Sequence, residues 1–218
     1  MKLKQVDVNL APTHNAFEYQ SDAVNAVKDK EYFGIFHEQG LGKTKIAIDL
    51  ALHWIQEETC DSVIFVTKKN LTDNWNNEIK FHTSIYPISF DANKKENTSK
   101  FFSYGKFYIC HFDLIKNDVE NFESFCEFRN VGMILDESVA IKNPKTDMAK
   151  AFHRLAPKLK RRIIMTGTPI DNRPYDIWSQ IFFLDQGASL GTNFTDFKSR
   201  YDLDKDLAGS KVRQELFE

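Results

Sequence analysis

The sequence predicts an α/β fold, a mostly parallel sheet with helices on both faces. Three observations carry that expectation. Short apolar runs recur around Tyr32, Val63, Phe107, Val131 and Ile163, and they read as buried strands. Stretches with apolar residues at helical spacing separate them. Glycine, hydroxyl and carboxylate residues cluster at the C-terminal ends of these runs, where open parallel sheets hold ligands.

Composition sets the outer limits. The 218 residues suffice for one large domain with or without an appendage, and 42% hydrophobic residues with 19 Phe supply a core. The balance of 29 basic and 31 acidic residues, net charge -2, neither demands nor excludes nucleic acid. Cys60, Cys110 and Cys126 are odd in number and far apart, with no C-x-x-C and no histidines at metal-ligand spacing. They read as reduced thiols, and the expected location is cytoplasmic, or the host cytoplasm for a viral protein. The N-terminus has no apolar signal region. No apolar run approaches the roughly 18 residues a span requires, so no membrane is expected among the partners.

The first helix is expected near Ala23, Val24 and Val27, capped by Ser21 or Asp22. Gln20, just upstream of the next motif, carries an amide whose donor and acceptor suit the N6 and N7 edge of adenine. It is equally an ordinary residue for a helix start.

A buried strand is expected over Tyr32–Phe36, followed by His37-Glu38-Gln39-Gly40-Leu41-Gly42-Lys43-Thr44 and a helix from Lys45 to Leu52. A strand, a glycine turn and a helix opening on Gly-Lys-Thr make a phosphate cradle. The glycines let backbone N–H groups approach an anion, and the helix N-terminus adds partial positive charge. Lys43 is expected on the β- and γ-phosphates and the Thr44 hydroxyl on Mg²⁺. The strict pattern has glycine where this chain has His37.

Ser62–Thr67 reads as a buried parallel strand, and Leu71–Ile79 as a helix with Leu71, Trp75 and Ile79 on one face. Thr67, Lys68 and Asn70 lie at the strand's C-terminal end, placed to touch a nucleic-acid phosphate. Trp75 reads as core. Asp91–Lys100 is polar and aperiodic, the best candidate for a mobile surface loop. Lys106–Phe112 reads as a strand, and Val119, Phe122, Phe125 or Cys126, and Arg129 as a helical stripe packed in the core.

Val131–Glu137, an apolar run ending in two carboxylates, has the form of a Walker B strand. Asp136 is expected to hold Mg²⁺, and Glu137 to orient and polarise the attacking water. After the Lys142-Asn143-Pro144 break, Thr146–Leu155 reads as a helix. Arg161–Pro169 is another buried strand, ending in Thr166, Gly167 and Thr168. Pro174 starts a helix running to Leu184. A polar tail follows from Gly187, with a weak helix over Phe194–Tyr201.

Together these stretches resemble the N-terminal motor lobe of superfamily-two helicase-like ATPases, and among them the Swi/Snf-type DNA translocases. Glu38 to Thr44 is similar to that branch's Asp-Glu-Met-Gly-Leu-Gly-Lys-Thr motif, which also lacks the initial glycine. Tyr19-Gln20 resembles its adenine-reading Gln motif, and Asn74-Trp75 with Glu78 its Asn-Trp-x-x-Glu after motif Ia. Asp136-Glu137-Ser138 with Ile141 to Pro144 resembles motif II and its extension. Thr166 to Ile170, with Asn172 and Ile177-Trp178, resembles motif III and the helix after it. The likeness spans about residues 10 to 205.

The resemblance implies a single RecA-like lobe of the P-loop NTPase fold over 1–190, with 191–218 a polar helical tail leading towards a second lobe. It implies ATP and Mg²⁺ as cofactors and DNA, double-stranded and held through its backbone, as partner. Gln20, Gln39, Gly40, Leu41, Gly42, Lys43 and Thr44 would bind nucleotide, and Thr44 and Asp136 the metal. Glu137 and Lys43 would be catalytic, while Thr166, Gly167 and Thr168 would couple nucleotide state to DNA near Thr67, Lys68 and Asn70. Val139 departs from the family, most of which has His there. The family carries its arginine fingers on the second lobe, so this chain alone is expected to hydrolyse little ATP. A non-catalytic DNA- or partner-binding lobe, and a P-loop NTPase acting on RNA or protein, are the alternatives.

Overall fold

The computed structural model describes residues 9–91, 94–170 and 173–201. Six strands form one sheet: β1 (Tyr32–Ile35), β2 (Ser62–Thr67), β3 (Ile88–Ser89), β4 (Phe107–His111), β5 (Val131–Asp136) and β6 (Arg161–Met165). Their order is β1-β6-β5-β2-β4-β3, and every neighbouring pair is parallel. All five expected runs are strands of this sheet. The sixth, β3, has two residues and no pattern to betray it; it closes the edge beside β4.

Side-chain alternation along the strands builds two cores. Val63, Phe65, Phe107, Ile109, Ile134, Ile163 and Met165 face α2 (Lys43–Gln56) and α3 (Thr72–His82), with α1 (Glu18–Val27) laid over α2. Ile64, Val66, Tyr108, Cys110, Met133, Leu135 and Ile164 face α5 (Phe112–Asn117), α6 (Val119–Glu127), α7 (Asp147–Leu155) and α8 (Asp176–Asp185). Burial on both faces makes β2 and β4 continuous apolar runs rather than alternating ones. α9 (Phe194–Tyr201) packs Phe197 against Tyr175 and Trp178 at the start of α8.

Four expectations are corrected. β1 is an edge strand in which only Ile35 is buried, with Tyr32 and Phe36 exposed. α1 begins a turn earlier than expected: the Phe17 N–H donates to Gln20 Oε1 at 3.0 Å, so Gln20 caps the helix in place of Ser21 or Asp22. α8 begins at Asp176, two residues beyond Pro174. The expected loop over Asp91–Lys100 contains α4 (Lys94–Phe101). Its polarity hid two anchors. The buried Asn97 amide donates to Asp91 O and accepts from Asp91 N, and the Phe101 ring packs 4.7 Å from Phe90 and 5.0 Å from Phe122.

β1 depends on one neighbour. It pairs with β6 from Tyr32↔Arg162 to Ile35↔Met165. Arg162, 5% exposed, reinforces the pairing by donating to Glu31 Oε1 at 2.6 Å and lying over the Tyr32 ring. Among the described residues no helix is long and apolar enough to cross a membrane.

Candidate functional site

The sheet's C-terminal edge carries the motifs in spatial order. β1 feeds the glycine loop, β6 ends next to it in Thr166–Thr168, β5 then ends in Asp136-Glu137, and β2 beyond that in Thr67. The hydroxyl segment after β6 is therefore interposed between the loop and the acidic pair.

The loop takes its shape from two glycines. Gly40 has φ +84° and Gly42 φ +67°, the left-handed region that costs a β-carbon-bearing residue about 1 kcal/mol or more. Gly42 is also approached from the side, since a β-carbon there would lie 2.1 Å from Gln20 Nε2. Gly42 caps α2, so the first backbone N–H groups of a 14-residue helix face the cleft. Lys43 Nζ donates to the carbonyls of His37 at 2.8 Å and Glu38 at 3.0 Å, which fixes the amine at the loop. Tyr19 Oη donates to Leu41 O at 3.3 Å, so α1 clamps the loop's outer side.

Gln39, Gly40, Gly42, Lys43, Thr44 and Asp136 line one open cleft. Asn15, Phe17 and Gln20 continue it on the N-terminal side, and Lys45, Glu78 and His82 on the α2–α3 side. Gln20 is 4% exposed, its carbonyl engaged in capping and its amide 3.4 Å from Tyr19 Oη. Lys45 is buried and ion-paired with Asp49. Burial, and then the Lys45 charge, push the His82 pKa down, and Glu78, 3.4 Å away, opposes them. Leu41 is 42% exposed on the loop.

Asp136 is held from β2 and α3. Thr67 Oγ1 donates to its Oδ2 at 3.2 Å, and Trp75 Nε1 donates to the same oxygen at 2.8 Å. Thr67 is fully buried, so of the three residues expected on nucleic acid only Lys68 and Asn70 reach the surface. Glu137 sits at φ 58°, ψ 56°, a left-handed conformation for a non-glycine residue, at the bend from β5 into the 3₁₀ turn Ser138–Ile141. Such a backbone costs on the order of 1–3 kcal/mol and is held by its surroundings. No three His, Cys, Asp or Glu side chains converge as a metal site among the described residues.

Thr166, Gly167 and Thr168 bridge the loop to the rest. Thr166 is buried, and its N–H donates to Ile35 O at 3.2 Å. A β-carbon at Gly167 would lie 3.8 Å from both Gln39 N and His37 O. The Thr168 N–H donates to Thr166 Oγ1. From the other side, Ser138 Oγ donates to Gln180 Oε1 at 2.7 Å, and Gln180 Nε2 donates to Pro169 O at 2.8 Å. This fully buried amide joins the residue after Glu137 to the Thr166–Pro169 segment, independently of Val139. Sequence reasoning missed Gln180; a polar residue on the apolar face of α8 was the available signal. It also missed the polar role of Trp75. Asn172 lies outside the described residues.

A parallel sheet with a glycine loop opening a helix beside a strand-end Asp-Glu pair defines a RecA-like nucleotide-binding lobe. A sequence profile described as SNF2-related domain matches residues 19–218, and the chain belongs to that family. The "DNA excision repair protein ERCC-6-like" of Danio rerio is 30% identical over 172 residues, which is 76% of this chain and 12% of the relative. The "Probable ATP-dependent DNA helicase CHR23" of Arabidopsis thaliana is 32% identical over 163 residues, 72% of this chain and 15% of the relative. The chain thus spans a small fraction of the length of these relatives. In structure it is similar to a "Sulfolobus solfataricus SWI2/SNF2 ATPase core in complex with dsDNA", with TM-score 0.77 at 22% identity over 94% of this chain and 42% of the other.

Proposed function

We propose that this chain is the ATP-binding lobe of a DNA-dependent ATPase that moves on double-stranded DNA when joined to a second lobe. The observation that carries the reading is the single cleft shared by Lys43, Thr44 and Asp136, with Gly167 packed against its loop. The relative named as an ATP-dependent DNA helicase supports ATP as the nucleotide, and the double-stranded DNA of the structural neighbour's title supports the partner. Three buried cysteines suit a reducing, cytoplasmic compartment.

In this reading the Gly40–Lys43 amides and the Lys43 amine cradle the β- and γ-phosphates, while Gln20 meets the base. Thr44 and Asp136 would hold Mg²⁺, which would supply the charge that offsets the phosphates. The Asp136 carboxylate and Thr44 hydroxyl are hard oxygen donors of the kind Mg²⁺ takes, and a cation shared with a nucleotide would need no cluster of three protein acids. Glu137 orients the attacking water and accepts its proton. Thr166 and Thr168 relay the state of the loop towards Lys68 and Asn70, which face the DNA backbone.

Among the described residues, Lys43 and Lys45 are the only lysines or arginines lining the cleft, and Lys45 is neutralised by Asp49. An arginine supplied to such a transition state is worth on the order of 10³–10⁵ in rate. Residues 1–218 alone are therefore expected to release negligible phosphate, with or without duplex DNA, and to turn over under DNA stimulation once a second lobe is supplied. A steady-state phosphate-release assay with Glu137→Gln as the blank tests this. Lack of turnover after that addition would leave only a binding lobe, and stimulation by RNA rather than DNA would reassign the partner.

A further inference from the structure

We propose that Trp75 and Thr67 are positioning residues for Asp136, anchoring one carboxylate oxygen so that the other is left for a nucleotide-bound divalent cation. The inference rests on the reading of Asp136 as a cation ligand. Its basis is the asymmetry of the contacts. Both donors reach Oδ2, and no protein donor meets Oδ1 among the described residues. A carboxylate free to rotate would have to be ordered when the cation arrives; two donors on one oxygen do so beforehand.

The donors are themselves rigid. Trp75 is 2% exposed, with its ring 5.0 Å from Phe65, and Thr67 is fully buried at the end of β2. A core tryptophan needs only apolar neighbours for its ring. Here its one polar atom reaches a carboxylate that lines the cleft from a neighbouring strand. The two donors come from different elements, so β2 and α3 jointly fix a side chain of β5.

The test uses residues 1–218 loaded with ADP, and reads Mn²⁺ affinity by electron paramagnetic resonance of the free ion. Trp75→Phe keeps an aromatic ring, smaller than the indole, and removes the N–H. Thr67→Val removes the hydroxyl at similar shape, and Thr67→Ser restores it. Trp75→Phe and Thr67→Val are each expected to weaken Mn²⁺ binding about 10-fold, the lower end for partners of metal ligands. Thr67→Ser should bind as wild type, and ADP affinity in EDTA should be unchanged in all of them. In ¹⁵N-labelled protein the Trp75 indole resonance should shift when Mg²⁺ is added, and those of Trp54 and Trp178 should not. If both N–H and hydroxyl deletions bind Mn²⁺ like wild type while Asp136→Asn does not, the positioning role is overturned. If Asp136→Asn also binds like wild type, the reading of Asp136 itself has failed instead. Should Trp75→Phe not fold, the Thr67 pair decides the question.

Discussion

At the scale of residues, the proposed ATPase would have Lys43 serve binding and Glu137 chemistry. The Lys43 amine is fixed at the loop by two carbonyls, and among the described residues the only other lysine or arginine lining the cleft, Lys45, is ion-paired with Asp49. Lys43→Ala should lower nucleotide affinity by about 10- to 100-fold, the worth of one charge-assisted hydrogen bond. In the proposed two-lobe ATPase, Glu137→Gln should bind ATP like wild type and lose turnover, because an amide accepts no proton. Calorimetry on both variants checks this, and wild-type affinity in Lys43→Ala would undo the assignment of the loop. The residue scale is also where sequence was least legible. Helical spacing placed Trp75 in the core, and its ring is there. Spacing carries no information on where an indole N–H points, so its bond to Asp136 was invisible. Thr67 shows the same limit. Its position at a strand end was legible, whereas its turn inwards to Asp136 depends on the β2–β5 pairing.

At the scale of elements, the apolar runs declared β2, β4, β5 and β6 because burial on both faces leaves an unbroken signal. β1 carried the same signal without the burial, since an edge strand with one neighbour is apolar yet half exposed. α4 failed in the opposite sense, a polar helix held by the Asn97 bond back to Asp91 and by Phe101 packed on Phe122, a ring distant in sequence. The element contact with most bearing on function joins α8 to both the Ser138 turn and Pro169 through Gln180. Gln180→Leu would leave the buried Ser138 hydroxyl and the half-buried Pro169 carbonyl without this partner, at a cost of about 1–3 kcal/mol, chiefly from Ser138. Nucleotide affinity should stay within about twofold of wild type, because the loop is untouched. In the proposed two-lobe ATPase, DNA-stimulated turnover should fall about 10-fold or more, the equivalent of that same energy expressed in the transition state. Urea melts, calorimetry and phosphate release on one preparation would separate the three effects. Equal turnover in the variant would show that α8 carries no coupling.

For the molecule as a whole, acid is the expected weakness. His153 sits among α7 and α8 with Nε2 donating to Ser179 O at 2.9 Å, and burial holds its pKa below the ordinary 6.5. His82 and His111 are lowered too, also chiefly by burial. The native state thus binds fewer protons than the unfolded one below about pH 6.5, so stability is fully present above that pH and declines as pH falls through the native pKa values. Urea midpoints should be lower at about pH 5.5 than at about pH 7.5, and the difference should shrink in His153→Gln. An unchanged difference would remove His153 from the account. The pairing of β1 with β6 has a consequence in time. The Glu31–Arg162 bond joins residues 131 positions apart, and among the described residues β1 has no strand but β6 beside it. A ribosome adding about 5–20 residues per second needs on the order of 10 s to travel from one to the other. On that timetable β1 waits for β6, and the cleft lined by Lys43, Thr44 and Asp136 is expected to take shape late in synthesis, once β6 can pair between β1 and β5.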